Sequence, residues 1–207
     1  MKKIVIIDYG CGNIESIKRG FKHIGEECIS SNEISEIDSA THLILPGVGS
    51  FKKAMLMLKN SNLIPSIINH HRQEKPLLGI CLGMQLLFNK SYEFGETEGL
   101  GIFSGDVIKL ENNDKNKFKV PNIGWYNLHE SSTQNEIKCL NFGKYYHVHS
   151  FYCEPIDQSN VTHYINFDNK KICVSYKYKK NVGVQFHPEK SREDGLKLLK
   201  FFTELNK

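Results

Sequence analysis

No apolar run in this chain approaches the ~20 residues that a membrane-spanning helix needs, and none of its six cysteines stands in C-x-x-C spacing. The first absence argues against an integral membrane protein. The second removes zinc ribbons and thioredoxin-type motifs. Met1-Lys2-Lys3 leads directly into a short strand-like run, so no secretory leader is expected. A cytoplasmic location with reduced thiols is the expectation. Charge of one sign is scarce: 27 Lys and Arg face 23 Asp and Glu, for a net +4. Lysines gather only over 109–119 and 177–180, without the interleaved aromatics of a nucleic-acid binder, so both clusters read as solvated loop charge. Neither a linker nor an internal repeat is visible. A 207-residue chain with 40% hydrophobic content suits one compact domain over 1–207.

What is present has a rhythm. Lys3-Ile4-Val5-Ile6-Ile7-Asp8 is a β-branched run suited to a strand buried on both faces. A Gly10-Cys11-Gly12-Asn13 turn and a helical repeat of Ile14, Ile17, Phe21 and Ile24 follow, closed by Gly25. The Gly-x-Gly hints at a dinucleotide loop, but Glu15 stands where the third glycine belongs, so nucleotide binding is disfavoured. A second strand over 26–30, a short helix over 34–40 and a third strand over 41–45 come next. Pro46-Gly47-Val48-Gly49-Ser50-Phe51 then opens a helix with Ser50 as expected N-cap. A helix over 63–71 is interrupted early by Pro65, and its His70 and His71 read as surface residues, as do most of the nine histidines. Strand and helix therefore alternate three times before residue 90, which predicts βαβ units and a mostly parallel α/β sheet flanked by helices.

After Phe88 the pattern changes. A Gly- and Glu-rich loop spans 91–105, followed by short strands over 107–110, 125–128, 145–152, 161–167, 172–176 and 182–186. Polar connectors are expected over 112–119 and 130–135. These strands predict antiparallel hairpins extending the first sheet. A final helix over 191–205 is amphipathic through Leu196, Leu199, Phe202 and Leu205.

Two stretches carry chemistry. Gly79-Ile80-Cys81-Leu82-Gly83 ends an apolar strand and opens a helix, in the manner of a nucleophile elbow with cysteine at its tip. Both glycines are needed, because a Cβ at either flank would meet backbone. The thiol would sit over a helix N-terminus, and the Leu82 N–H would point where an oxyanion forms. The competing reading is an ordinary strand–turn–helix with a buried Cys. A second oxyanion donor could come from the 46–49 turn. The other stretch is Gln185-Phe186-His187-Pro188-Glu189, where a strand ends at a histidine with a carboxylate two residues on. A base near a thiol, oriented by a third group, is what nucleophilic catalysis requires. By spacing alone a surface turn with incidental His and Glu remains open. No second His or Cys stands at ligand spacing nearby, so no metal is expected.

Taken together, these motifs resemble class I (triad) glutamine amidotransferases. Asp8-Tyr9-Gly10-x-Gly12-Asn13, Pro46-Gly47-Val48-Gly49-x-Phe51, Pro121-x-x-Gly124-Trp125, Tyr146-x-Val148-His149-Ser150 and His187-Pro188-Glu189-Lys190-Ser191 are similar to the glutaminase subunits of imidazole glycerol phosphate synthases, nearly end to end. The resemblance implies a three-layer fold and no cofactor. It implies that Cys81 attacks the glutamine side-chain amide, that His187 moves the proton and that Glu189 orients His187. It gives the oxyanion hole to N–H groups of Leu82, Val48 and Gly49, and glutamine binding to Gly49, Gln85, Ser150 and Phe151. His149 precedes that edge, and a catalytic role for it is not favoured. A (β/α)8-barrel cyclase subunit is the implied partner, receiving ammonia in histidine biosynthesis and facing Asn13, Trp125 and Lys190. The isolated chain would then be nearly inactive. Departures are few: Asn122 stands where the family usually has His, Tyr126 where it often has Asn, and Tyr145-Tyr146-His147 replaces a more apolar lead-in. A paralogue serving surface-glycan synthesis, a non-catalytic scaffold and a cysteine peptidase are the competing readings.

Overall fold

The computed structural model describes residues 2–111, 119–131, 137–141 and 143–205. The expected connector over 112–119 lies almost wholly outside them, and that over 130–135 lies largely outside.

Strands β1 (Ile4–Ile7), β2 (Cys28–Ser31), β3 (His42–Leu45) and β4 (Leu77–Ile80) alternate with helices α1 (Ile14–His23), α2 (Ile34–Asp38), α3 (Phe51–Asn60) and α4 (Ile64–Arg72). Helix α5 (Leu82–Leu86) follows β4 after one residue. β1, β3 and β4 are buried at every position, as strands covered on both faces must be. The second half supplies β5 (Lys90–Ser91), β6 (Thr97–Glu98), β7 (Gly105–Lys109), β8 (Asn122–Asn127), β9 (His129–Glu130), β10 (Lys144–His149), β11 (Phe151–Pro155), β12 (Val161–Phe167), β13 (Lys170–Tyr178) and β14 (Asn181–Val184). Helix α6 (Arg192–Glu204) closes the chain.

Twelve strands form one sheet with a spine of β2-β1-β3-β4-β14-β13-β11-β7-β5-β6; β12 also pairs with β13, and β9 with β12. From β2 through β14 every pairing is parallel. From β14 outward the long strands are antiparallel. Two apolar clusters cover the two faces. One gathers Phe51, Leu58, Leu63, Met84 and Phe88, and the other gathers Ile17, Phe21, Leu198, Leu199 and Phe202.

Four local expectations change. The strand expected over 145–152 is two strands, broken at Ser150. β8 and β10 pair only with each other, as a separate two-stranded ribbon rather than an extension of the sheet. Pro65 does not interrupt α4; it sits in the first turn, where its missing N–H has no helical partner to lose. Six histidines are buried, His70 among them, with Nε2 2.9 Å from the Pro76 carbonyl oxygen.

Candidate active site

β4 and β14 lie side by side and parallel, with Ile80 opposite Val184. The residues just beyond their carboxyl ends therefore come together. The Cys81 N–H donates to the Val184 carbonyl at 2.7 Å, so the elbow continues the ladder by one residue. Cys81 then takes φ +54°, ψ −111°, a strained backbone setting for a residue with a Cβ, typically costing about 1–3 kcal/mol. The surroundings hold it there. A Cβ on Gly83 would run into the Leu45 carbonyl oxygen. One on Gly47 would come within 2.8 Å of both Gly83 N and Leu82 Cβ. Glycine at these two places lets the β3 turn press against the elbow, and this brings Val48 and Gly49 beside Cys81. The Tyr9 hydroxyl fixes the same turn by donating to the Pro46 carbonyl at 2.7 Å.

His187 follows β14. Its N–H donates to the Tyr146 carbonyl, and its own carbonyl accepts from Ser191 Oγ at 2.6 Å. Ser191 Oγ accepts in turn from Tyr146 N at 3.0 Å. His187 Nδ1 lies 2.8 Å from Glu189 Oε1, with only 2% and 1% of the two side chains exposed. Burial pulls the His187 pKa down, but the neighbouring Cys81 thiol and the Glu189 carboxylate outweigh it and lift the pKa to about 10; of the two ring nitrogens only Nδ1 is hydrogen-bonded, to Glu189, and the buried Nε2 has no hydrogen-bond partner. The imidazole thus keeps a proton on Nδ1 at neutral pH, held by the carboxylate.

A cavity of about 350 Å³ opens over this pair. Cys81, Leu82, Gln85 and His187 line one side; Val48 and Gly49 another; Ser150 and Phe151 a third. Every residue expected to hold substrate or an oxyanion, together with Cys81 and His187, the two expected to react, therefore borders one space, with Glu189 bonded to His187. Gln85 is 6% exposed, and its Nε2 donates to the Phe151 carbonyl and to Gln185 Oε1, both at 3.1 Å. Asn13, Trp125 and Lys190 lie outside the cavity. Asn13 caps α1 by accepting from Ser16 N. Trp125 is 43% exposed on the β8–β10 ribbon, with Arg192 5.2 Å from its ring. Lys190 lies 5.8 Å over the Tyr146 ring, which itself packs on Trp125.

Sequence reasoning missed Glu93. It lines the cavity, and its Oε2 accepts from Phe51 N at 2.6 Å. It thereby caps α3 in place of Ser50, whose side chain makes no capping bond. Nothing in the local sequence separates Glu93 from Glu96 and Glu98; only the approach of its loop to the Gly49 turn distinguishes it. Among the described residues no cluster of His, Cys, Asp or Glu could hold a metal ion, and no helix is long and apolar enough to cross a membrane.

A strained cysteine elbow, a neighbouring imidazole backed by a carboxylate and a facing glycine turn are the parts of a thiol amidase. The family model for class-I glutamine amidotransferases matches residues 5–205, and the chain belongs to that family. Within it, the chain is 42% identical over 205 residues to the imidazole glycerol phosphate synthase subunit HisH of Lactococcus lactis, with 99% of each chain covered. It is likewise 42% identical over 202 residues to the HisH subunit of Aquifex aeolicus, covering 97% and 95%. Among solved structures, a chain of PurLQS from Thermotoga maritima superposes with a TM-score of 0.73 at 18% identity over the full length of both chains, a likeness of fold.

Proposed function

We propose that this chain is the glutaminase subunit of an imidazole glycerol phosphate synthase, acting in histidine biosynthesis. Full-length similarity at 42% identity to subunits of that name supports the pathway. The placement of Cys81 and His187 on one cavity wall, with Glu189 bonded to His187 from behind, is the single observation that carries the chemistry.

Glutamine enters with its side-chain carbonyl carbon toward Cys81 Sγ. Gly49, Gln85 and the edge at Ser150 and Phe151 hold its amino-acid end, and Glu93 offers a carboxylate for the α-ammonium. Sulfur attacks the amide carbon and forms a C–S bond. Charge passes to the oxygen, which the N–H groups of Leu82 and of the Val48–Gly49 turn stabilise. His187 gives its proton to the amide nitrogen, the C–N bond breaks and ammonia leaves. Water, deprotonated by His187, then attacks the γ-glutamyl thioester and releases glutamate and the thiol. Glu189 keeps the His187 ring turned and favours its charged form throughout.

Ammonia released into water would be protonated and lose its nucleophilicity, so the reading includes delivery to a (β/α)8-barrel cyclase bound at the same edge of the sheet. Ile123 and Trp125 are 58% and 43% exposed on β8, with Arg192 against the Trp125 ring and Lys190 against the Tyr146 ring beside it, and Val48 is 44% exposed at the cavity. The test is Cys81→Ala in the assembled enzyme. Glutamine-dependent synthesis disappears while ammonia-dependent synthesis continues; surviving glutamine turnover would overturn the assignment.

A further inference from the structure

In the cavity wall that carries Phe151, His149 and the buried Asn122 behind it form a polar group that the chemistry above does not use. Asn122 on β8 and His149 on β10 face each other across the ribbon, 1% and 6% exposed. Asn122 Nδ2 is 3.2 Å from His149 Nε2, and His149 Nδ1 is 2.9 Å from the Phe151 carbonyl oxygen. That carbonyl also accepts from Gln85 Nε2 at 3.1 Å. The ring state of His149 follows from its neighbours. A carbonyl can only accept, so Nδ1 carries the proton. The Asn122 amide nitrogen can only donate, so Nε2 presents its lone pair. His147 Nδ1, 3.4 Å away on the same strand, also points at that lone pair.

We propose that Asn122 and His149 are positioning residues for glutamine: Asn122 fixes the His149 ring, His149 fixes the Phe151 carbonyl, and that carbonyl anchors Gln85. The inference rests on the reading of Gln85 and Phe151 as the glutamine-binding wall. With Nε2 of Gln85 engaged by Phe151 and by Gln185, its Oε1 is left as the acceptor it can offer to the ligand. Loss of the Asn122 donor frees the His149 ring to turn, and two donors then no longer converge on one carbonyl. The titratable groups around His149 are His147 on its own strand, His187 beyond β14 and Tyr126, which lies edge-on to His147 at 5.4 Å. Cys81 and Glu93 share the cavity. Burial and the positive charge of His187 keep His149 neutral, with a pKa of about 4 despite the pull of the Phe151 carbonyl.

Two variants test this in the assembled two-subunit enzyme, with steady-state glutamine hydrolysis, iodoacetamide modification of Cys81 and thermal unfolding read together. Asn122→Leu removes the donor. The KM for glutamine rises about tenfold, the scale of one buried hydrogen bond, with kcat and the iodoacetamide rate within about twofold of wild type. Asn122→Asp keeps the shape but puts a carboxylate against Nε2. The carboxylate favours a second proton on His149, so the variant's KM stays near the wild-type value at neutral pH and rises toward alkaline pH, where that proton and the hydrogen bond it makes are lost, whereas the wild-type KM shows no such rise. An unchanged KM in a cooperatively folded variant overturns the proposal. So does a fall in kcat and in iodoacetamide reactivity matching the loss in kcat/KM, the mark of a general structural role. If Asn122→Leu fails to fold, the pH profile of Asn122→Asp decides alone. Protection of wild-type Cys81 from iodoacetamide by glutamine checks the underlying reading. Without that protection the glutamine wall itself is wrong and the proposal falls with it; equal protection in wild type and both variants defeats the proposal alone.

Discussion

Lowering the pH from about 7 to about 5.5 should cost this protein much of its stability, because it buries neutral imidazoles. Burial holds His42, His70, His149 and His163 near a pKa of about 4, against 6.5 for a free ring, and holds His147 well below its ordinary value. His70 lies against the Pro76 carbonyl and His163 Nε2 is 2.8 Å from Asn141 Oδ1, while His42 packs edge-on to Phe202. The sign follows from proton counting. A folded-state pKa below the unfolded one means that the unfolded chain binds the extra proton between the two values. The stabilisation is therefore fully present above about pH 6.5 and is lost as pH falls toward 4. At pH 5.5 each of the four rings held near 4 has forfeited roughly 1.2 kcal/mol relative to pH 7, about 5 kcal/mol for the four, and His147 acts in the same direction. His187 works the other way: its pKa of about 10 is raised, so its contribution is complete below about 6.5 and grows by roughly 1 kcal/mol over the same interval. The net loss is about 4 kcal/mol before His147 is added, comparable to the whole stability of many domains. Urea unfolding at the two pH values measures it, and calorimetry in buffers of different ionisation enthalpy should show about four protons taken up by histidine on unfolding near pH 5.5. A loss under about 1 kcal/mol, or uptake near zero, would refute the reasoning.

Three further outcomes are expected. Glu189→Gln removes the carboxylate that supports the charged ring, so the His187 pKa falls from about 10 and kcat drops on the order of 10³–10⁴-fold; an NMR titration of His187 with steady-state assays checks both, and a loss under tenfold would be incompatible with a triad. Gly83→Ala drives a methyl into the Leu45 carbonyl and should lower stability by about 3 kcal/mol or more in chemical denaturation while parting the elbow from the Gly49 turn. Trp125→Ala should weaken binding of the cyclase subunit about 30-fold, or about 2 kcal/mol, in titration calorimetry while leaving the melting temperature of the free chain nearly unchanged, since the ring is 43% exposed.

The half of the fold made by β1 to β4 was readable because its strands are buried on both faces and its turns are marked by glycine. The same logic placed Cys81 and His187 at strand ends. What sequence could not supply was pairing. Nothing in Tyr145–Tyr152 announces that the chain breaks at Ser150, sending β10 to β8 and β11 into the sheet, because both pieces alternate alike. The histidines misled for a related reason. His70 and His71 are adjacent on one helix, yet one faces Pro76 and the other lies partly exposed, a distinction set by where α4 docks. Glu93 was invisible because its importance comes from a loop folding over a turn more than forty residues away in the chain.

The place of β14 has one more consequence. It is the last strand to leave the ribosome, yet it is inserted between β4 and β13 rather than added at the rim. Until it emerges, the wholly apolar Leu77–Ile80 stretch has an open ladder on one side. From the emergence of β4 until that of β14 a nascent chain therefore carries an open apolar edge and has no His187 beside Cys81, and closing that seam brings the ring to the thiol and covers the edge in one event.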